Sequence, residues 1–173
     1  MNVRTNLICL TTIALLTAAL ASADVMVWLD PTNPTVNVGE TVMVDIMADF
    51  EEPVMAWGLD LMIAEPMVAG LTQIAIGSEW DVTDTLDGDG LAGLRFPTGV
   101  GGQVLLATLT FEGLAIGETA LDLSSGPEED EGFLLESGYM ATNVNFIGAT
   151  LTVVPEPATL LLAMGIIVLA RRR

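Results

Sequence analysis

Four aspartates within nine residues, Asp81, Asp84, Asp87 and Asp89, stand beside Gly88 and Gly90. Carboxylates crowded in a glycine-rich loop suit a hard cation such as Ca2+, which takes about six to eight oxygen ligands. The spacing departs from a complete calcium loop, because Thr85 and Leu86 interrupt it and no glutamate closes it. Asp87-Gly88-Asp89-Gly90 is also ordinary hairpin chemistry. Three tryptophans offer a second kind of chemistry, stacking on sugar rings with a broad apolar face and a polar handle. Trp57 falls on an apolar register and is assigned to the core. Trp28 fits either role. Trp80, in Gly77-Ser78-Glu79-Trp80-Asp81, stands at a strand-to-loop boundary and is the best candidate for an exposed platform, with edge packing the stronger expectation. Tyr139 sits beside Gly138 as a weaker candidate.

Catalytic chemistry has little to work with. The 173 residues contain no histidine and no lysine, and the single cysteine is Cys9. The usual nucleophile–base pairs are therefore missing. A carboxylate pair could cleave a glycosidic bond, but 22 of the 23 acidic residues lie between Asp24 and Val154, so no pair stands out. The expectation is that the protein is not an enzyme. Only Arg95 among the five basic residues lies in that same span, so the span carries a formal charge of about −21. Nucleic acid is excluded as a partner, because phosphate contacts need Lys and Arg. Anionic lipid is opposed for the same reason. Arg95 is expected to pair with neighbouring carboxylates.

The elements that must position these residues are strands. Apolar side chains recur with period two, the mark of half-buried strands. Thr41–Asp49 places Val42, Val44, Ile46 and Ala48 on one face. Met55–Ala64 places Met55, Trp57, Leu59, Leu61 and Ile63 together, and Gln103–Glu112 does so for Leu105, Ala107, Leu109 and Phe111. Thr119–Leu123 and Asn143–Val153 follow the same rule, and Val25–Leu29, Gly70–Ile76 and Leu91–Phe96 are shorter candidates. Asp30-Pro31, Glu52-Pro53, Gly101-Gly102 and Ser125-Gly126-Pro127 punctuate them with turn residues. Gly126–Gly132, with four consecutive acids, is expected to be a solvated loop. The middle has no amphipathic helical run of ten residues. Eight or nine strands with frequent turns indicate an all-β fold, an antiparallel jelly-roll β-sandwich.

Both termini carry a different composition. Arg4, the apolar Leu7–Leu20 and Ala21-Ser22-Ala23 have the layout of a secretory signal peptide, whose helix would be removed after Ala23. At the other end, Pro155-Glu156-Pro157 precedes the uncharged apolar run Ala158–Ala170 and then Arg171, Arg172 and Arg173. Thirteen residues reach roughly 20 Å as a helix, short of a bilayer core of about 30 Å. The arginines would stay at the cytoplasmic face, and the prolines would hold Glu156 in extended chain near the outer interface. The expected organisation is a signal peptide (1–23), a sandwich domain (24–153) and a tail (154–173) with a short hydrophobic helix.

Two resemblances follow from these residues. The tail is similar to the PEP-CTERM sorting signal of Gram-negative bacteria. That resemblance implies processing by exosortase, an intramembrane transpeptidase, in organisms that make exopolysaccharide. It also implies transient passage through the inner membrane toward the surface or matrix. The segments Val38-Gly39-Glu40-Thr41-Val42-Met43-Val44-Asp45-Ile46, Trp57-Gly58-Leu59-Asp60-Leu61 and Leu106-Ala107-Thr108-Leu109-Thr110-Phe111 resemble strands of cohesin-like domains. The family implies a noncatalytic module that binds a dockerin, a carbohydrate or a surface protein. Ala64-Glu65-Pro66 replaces the family's usual aromatic-Asp-Pro, and the chain has no dockerin-like segment. A structural acidic matrix protein without a specific ligand is the competing expectation.

Overall fold

The computed structural model describes residues 25–82, 91–125 and 131–156. Twelve strands fill the described residues: β1 (Val25–Pro31), β2 (Thr35–Asn37), β3 (Thr41–Gly58), β4 (Asp60–Ile63), β5 (Ala69–Ile76), β6 (Asp81–Val82), β7 (Ala92–Leu94), β8 (Val100–Gly113), β9 (Gly117–Ser124), β10 (Gly132–Leu135), β11 (Val144–Ile147) and β12 (Ala149–Val154). No helix occurs among them, so none is long and apolar enough to cross a membrane. The expected signal helix and tail helix lie outside the described residues, as do Ala21, Ala23, Pro157 and Arg171, Arg172 and Arg173.

The strands form an all-β sandwich of an eight-stranded and a four-stranded sheet. The long strand β3 organises the larger one. Its first half, Thr41–Phe50, lies between β1 and β8, with β11 beyond β1 and β5 beyond β8. Its second half, Val54–Gly58, lies between β10 and β7, with β6 beyond β7. The break in pairing with β8 between Phe50 and Val54, at Glu51-Glu52-Pro53, separates the halves. The smaller sheet runs β2-β12-β9-β4. Val27, Ile46, Leu109 and Phe111 from one sheet and Leu121, Leu151 and Val153 from the other join a single buried core. Burial of this apolar surface supplies the main favourable term of folding.

Four expectations are corrected. The sandwich is not uniformly antiparallel, because β1 pairs β11 and β2 pairs β12 in parallel. The apolar run from Met55 to Ala64 is not one strand. The chain changes sheets at Gly58-Leu59, so Trp57 and Leu61 face the same core from opposite layers. The run Asn143–Val153 divides likewise at Gly148, where an added Cβ would stand 2.5 Å from the Leu121 carbonyl oxygen. Such a close backbone approach admits only glycine. Finally, Leu105 does not join Ala107, Leu109 and Phe111. The register with β3 slips between Ile46 and Met47, leaving Leu106 as the extra residue of a β-bulge. The buried set along β8 is therefore Val104, Leu106, Ala107, Leu109 and Phe111, and Leu105 turns outward, half-buried.

The acidity has a local expression in the larger sheet. Asp30 and Asp45 are direct cross-strand partners on its outer face, and like charges in that position destabilise. Thr108 donates its hydroxyl hydrogen to Asp45 Oδ1 at 2.7 Å, which holds that carboxylate in place. Asp45→Asn keeps an acceptor for Thr108 and removes the repulsion. It is expected to stabilise the protein by about 0.2–1 kcal/mol. The gain should shrink when NaCl screens the pair, which thermal unfolding at low and high salt would read.

Candidate functional site

Four strands of the larger sheet carry an outward-facing apolar row. In register across β11, β1, β3 and β8 stand Ile147, Trp28, Met47 and Leu105. Their alternation with the buried Val27, Ile46, Ala48, Val104 and Leu106 turns them away from the core. Ile147 is exposed and the other three are half-buried. Three interstrand spacings of about 4.8 Å put the ends of the row about 14 Å apart. A mostly polar row flanks each side. On one side stand Asn145, Met26, Asp49 and Gln103; on the other Asp30, Asp45, Thr108 and Ala75. The result is an apolar strip edged by carboxylates, amides and a hydroxyl, with Met26 and Met43 exposed beside it.

The outer face of the smaller sheet differs. Thr150 and Thr152 of β12, Glu118, Asp122 and Ser124 of β9 and Asp60 of β4 leave it polar, with Met62 as its exposed large apolar side chain. An interface core needs apolar and aromatic anchors with few charges. The larger sheet supplies them and the smaller one does not.

Trp28 thus takes the outward place that its sequence left open. Trp80 does not. It is 5% exposed and lies in the core. Its ring meets Trp57 and Phe50 edge to face, at centroid distances of 6.1 and 6.3 Å, and its indole Nε1 donates to the Leu105 carbonyl at 3.2 Å. A ring enclosed this way cannot stack on a sugar, so the candidate platform is corrected and the packed reading of Trp80 stands, in the core rather than at an edge. The cause is a tight turn in which the Trp80 amide donates to the Gly77 carbonyl. That turn leaves Glu79 and Asp81 in water and directs the indole inward. Trp57 is in the core, as its register requires.

Of the four loop aspartates, Asp81 is described, on β6 and exposed. Asp84, Asp87 and Asp89 lie outside the described residues. No group of three or more potential metal ligands occurs among the described residues. Arg95 donates from Nη1 to the Glu79 carbonyl at 2.9 Å and stands 3.8 Å from its carboxylate. Both partners are well exposed, so the pair contributes at most about 1 kcal/mol. In the tail, Pro155 is half-buried and Glu156 exposed.

A second feature occupies the end of the sandwich near the break in β3. A groove of about 640 Å³ is lined by Glu51, Glu52, Leu135, Ser137, Tyr139, Met140 and Thr142. The turn that carries Tyr139 is closed by the Leu135 amide donating to the Tyr139 carbonyl and the Gly138 amide to the Leu135 carbonyl. Gly138 has φ +85°, a backbone shape natural to glycine. The Ser137 amide donates to Glu52 Oε1 at 2.9 Å and ties the turn to β3. Tyr139 is left 74% exposed. Sequence reasoning ranked this tyrosine below Trp80, and the order is reversed.

The sandwich is similar to solved cohesin modules. A non-cellulosomal cohesin from the hyperthermophilic archaeon Archaeoglobus fulgidus superposes with a TM-score of 0.56 at 16% identity, over 79% of this chain and 96% of that one. A cohesin module from a family 33 glycoside hydrolase of Clostridium perfringens gives 0.55 at 11% identity, over 74% and 98%. A type I cohesin–dockerin complex from Clostridium thermocellum gives 0.54 at 10% identity, over 79% and 99%. At these identities the likeness is one of fold. No family model matches the chain, and no curated protein matches it.

Proposed function

We propose that the chain is an exported, noncatalytic binding module, displayed at the cell surface or in the exopolysaccharide matrix, whose outer sheet face seats a protein partner. The observation that carries this reading is the apolar row Ile147, Trp28, Met47 and Leu105 between two mostly polar rows. Its fold likeness to modules solved in complex with dockerins supports a protein as the partner. The composition supports the absence of catalysis, since no histidine or lysine occurs and Cys9 precedes the domain. Export follows from the signal layout ending at Ala21-Ser22-Ala23. Surface sorting follows from Pro155-Glu156-Pro157 and Arg171, Arg172 and Arg173, with exosortase as the processing partner and the inner membrane as a transient station.

The end groove favours a second reading. An exposed tyrosine beside carboxylates and hydroxyl side chains is a platform for one or two sugar rings. Affinity capture tests both readings, with the full chain as bait and the organism's envelope and matrix extract as prey, with and without Ca2+. Retention of one protein that Trp28→Ala weakens by about tenfold or more supports the first. Retention of a glycan that Tyr139→Ala abolishes supports the second. Calcium dependence would bring in the segment from Asp81 to Asp89. Failure to retain anything under both conditions would favour a structural acidic matrix protein.

A further inference from the structure

The tail leaves the sandwich at an end of distinct chemistry. Val153 pairs with Gly117, and the Val154 carbonyl accepts the Val38 amide, so the chain exits between the turn that precedes β9 and the turn that follows β2. The turn before β9 carries Leu114, 46% exposed, and Ile116, 65% exposed. It is fastened to the turn before β5, because the Leu114 and Ala115 amides both donate to the Val68 carbonyl, at 2.8 and 3.2 Å. Beside Val68 stands Met67, 77% exposed. Three large apolar side chains therefore project from two joined turns next to the exit of a tail in which Pro155-Glu156-Pro157 leads to an apolar run.

We propose that Met67, Leu114 and Ile116 form a lipid-contacting tip that seats the sandwich on the outer face of the bilayer its tail enters. The proposal rests on the sorting-tail reading of residues 154–173. Geometry selects the occupant. Strands β3, β8, β9 and β12 all begin or end at this tip, so a tail entering the membrane there brings the apolar turns to the interface. The opposite end, with Ser137 and Tyr139, then faces away, and the Trp28 row stands clear of the lipid on the sheet's side.

Charge defines which lipid. Glu40, Glu65, Glu118 and Glu156 are exposed around the same end, and Glu112 is half-buried there. The described residues contain a single basic one, Arg95, on the loop after β7. The tip therefore suits a zwitterionic surface, and anionic lipid repels it. Three side chains give weak partition on their own. A tether holding them within a few residues of the bilayer converts that to an intramolecular contact at high effective concentration. Severing the tail after Pro157 would release the domain, so the contact lasts only as long as the tether.

The test uses the mature chain from Asp24 to Arg173, which lacks the Leu7–Leu20 run and Cys9, with one new cysteine carrying an environment-sensitive fluorophore. The label goes at Ala115→Cys, between the two exposed apolar residues, or at Ser137→Cys on the opposite end. Each protein is incorporated into phosphatidylcholine vesicles containing a headgroup-nitroxide lipid. The label at residue 115 should be quenched several-fold more than that at residue 137, and the difference should fall as phosphatidylglycerol is added. Changing Met67, Leu114 and Ile116 to serine should cut the difference several-fold, to what the tether alone gives, while the protein still floats with the vesicles and keeps its melting temperature. Equal quenching at both labels on vesicle-bound protein would overturn the tip and leave the tail reading intact. Failure to float with vesicles at all would sink both.

Discussion

Trp80→Ala should lower stability by about 3–5 kcal/mol, the usual result of emptying a large aromatic site in a core. The indole fills the space between Phe50 and Trp57, and its N–H satisfies the Leu105 carbonyl at the β8 bulge. Removal opens a cavity and strips that carbonyl of its donor together. For a domain of this size the melting temperature should fall by roughly 10–20 °C, and near-ultraviolet circular dichroism should lose the coupled-tryptophan signal. Trp28→Ala, on the outer face, should move the melting temperature far less. Near-equal losses for the two would mean that Trp80 is not the core residue described above.

Gly77→Ala should be as damaging by a different route. A Cβ at Gly77 would run into the Leu105 carbonyl oxygen, and backbone cannot swing aside as a side-chain end can. The Gly77 amide donates to the neighbouring Leu106 carbonyl at 2.8 Å, and its own carbonyl accepts the Trp80 amide. Separation to relieve the clash would therefore loosen the β5–β8 edge and the turn that directs Trp80 inward. A cost of about 3 kcal/mol or more is expected, read as a lowered denaturation midpoint. Gly39→Ala is the contrast. Nothing lies within 4 Å of its added Cβ, and only its positive φ resists the change, so about 1 kcal/mol is expected. A harmless Gly77→Ala would show that β5 and β8 are not in that contact.

The strands themselves were legible because period-two alternation survives wherever one face is buried. Thr41–Asp49 is the clearest example, with Val42, Val44, Ile46 and Ala48 all buried. Sheet membership was not legible. Continuous apolar alternation from Met55 to Ile63 conceals a change of layer at Gly58-Leu59, since both layers present apolar residues to one core. The bulge at Leu106 was equally silent, because in Val104-Leu105-Leu106-Ala107 either register is apolar. The candidate site suffered from that silence directly. Met47 joins Trp28 in the regular β1–β3 register, and Leu105 joins them only through the slipped register of β8. Trp80 did carry a signal: polar Glu79 and Asp81 flank it, a short alternation that turns the indole inward. The tyrosine turn carried its signal in Gly138, whose φ of +85° builds the loop that exposes Tyr139.

Partner binding by the outer face of the larger sheet, as proposed, depends on its apolar row. It is tested most directly by comparing Met47→Gln with Met62→Gln as full-chain baits against the same envelope and matrix extract. Met47 is the row's inner member between Trp28 and Leu105, and Met62 stands on the polar face of the other sheet. Both changes keep side-chain length and add no charge. Met47→Gln should lose partner retention by about tenfold or more, with an unchanged melting temperature, while Met62→Gln should retain the partner fully. Equal retention by the two variants, or loss confined to Met62→Gln, would contradict that dependence.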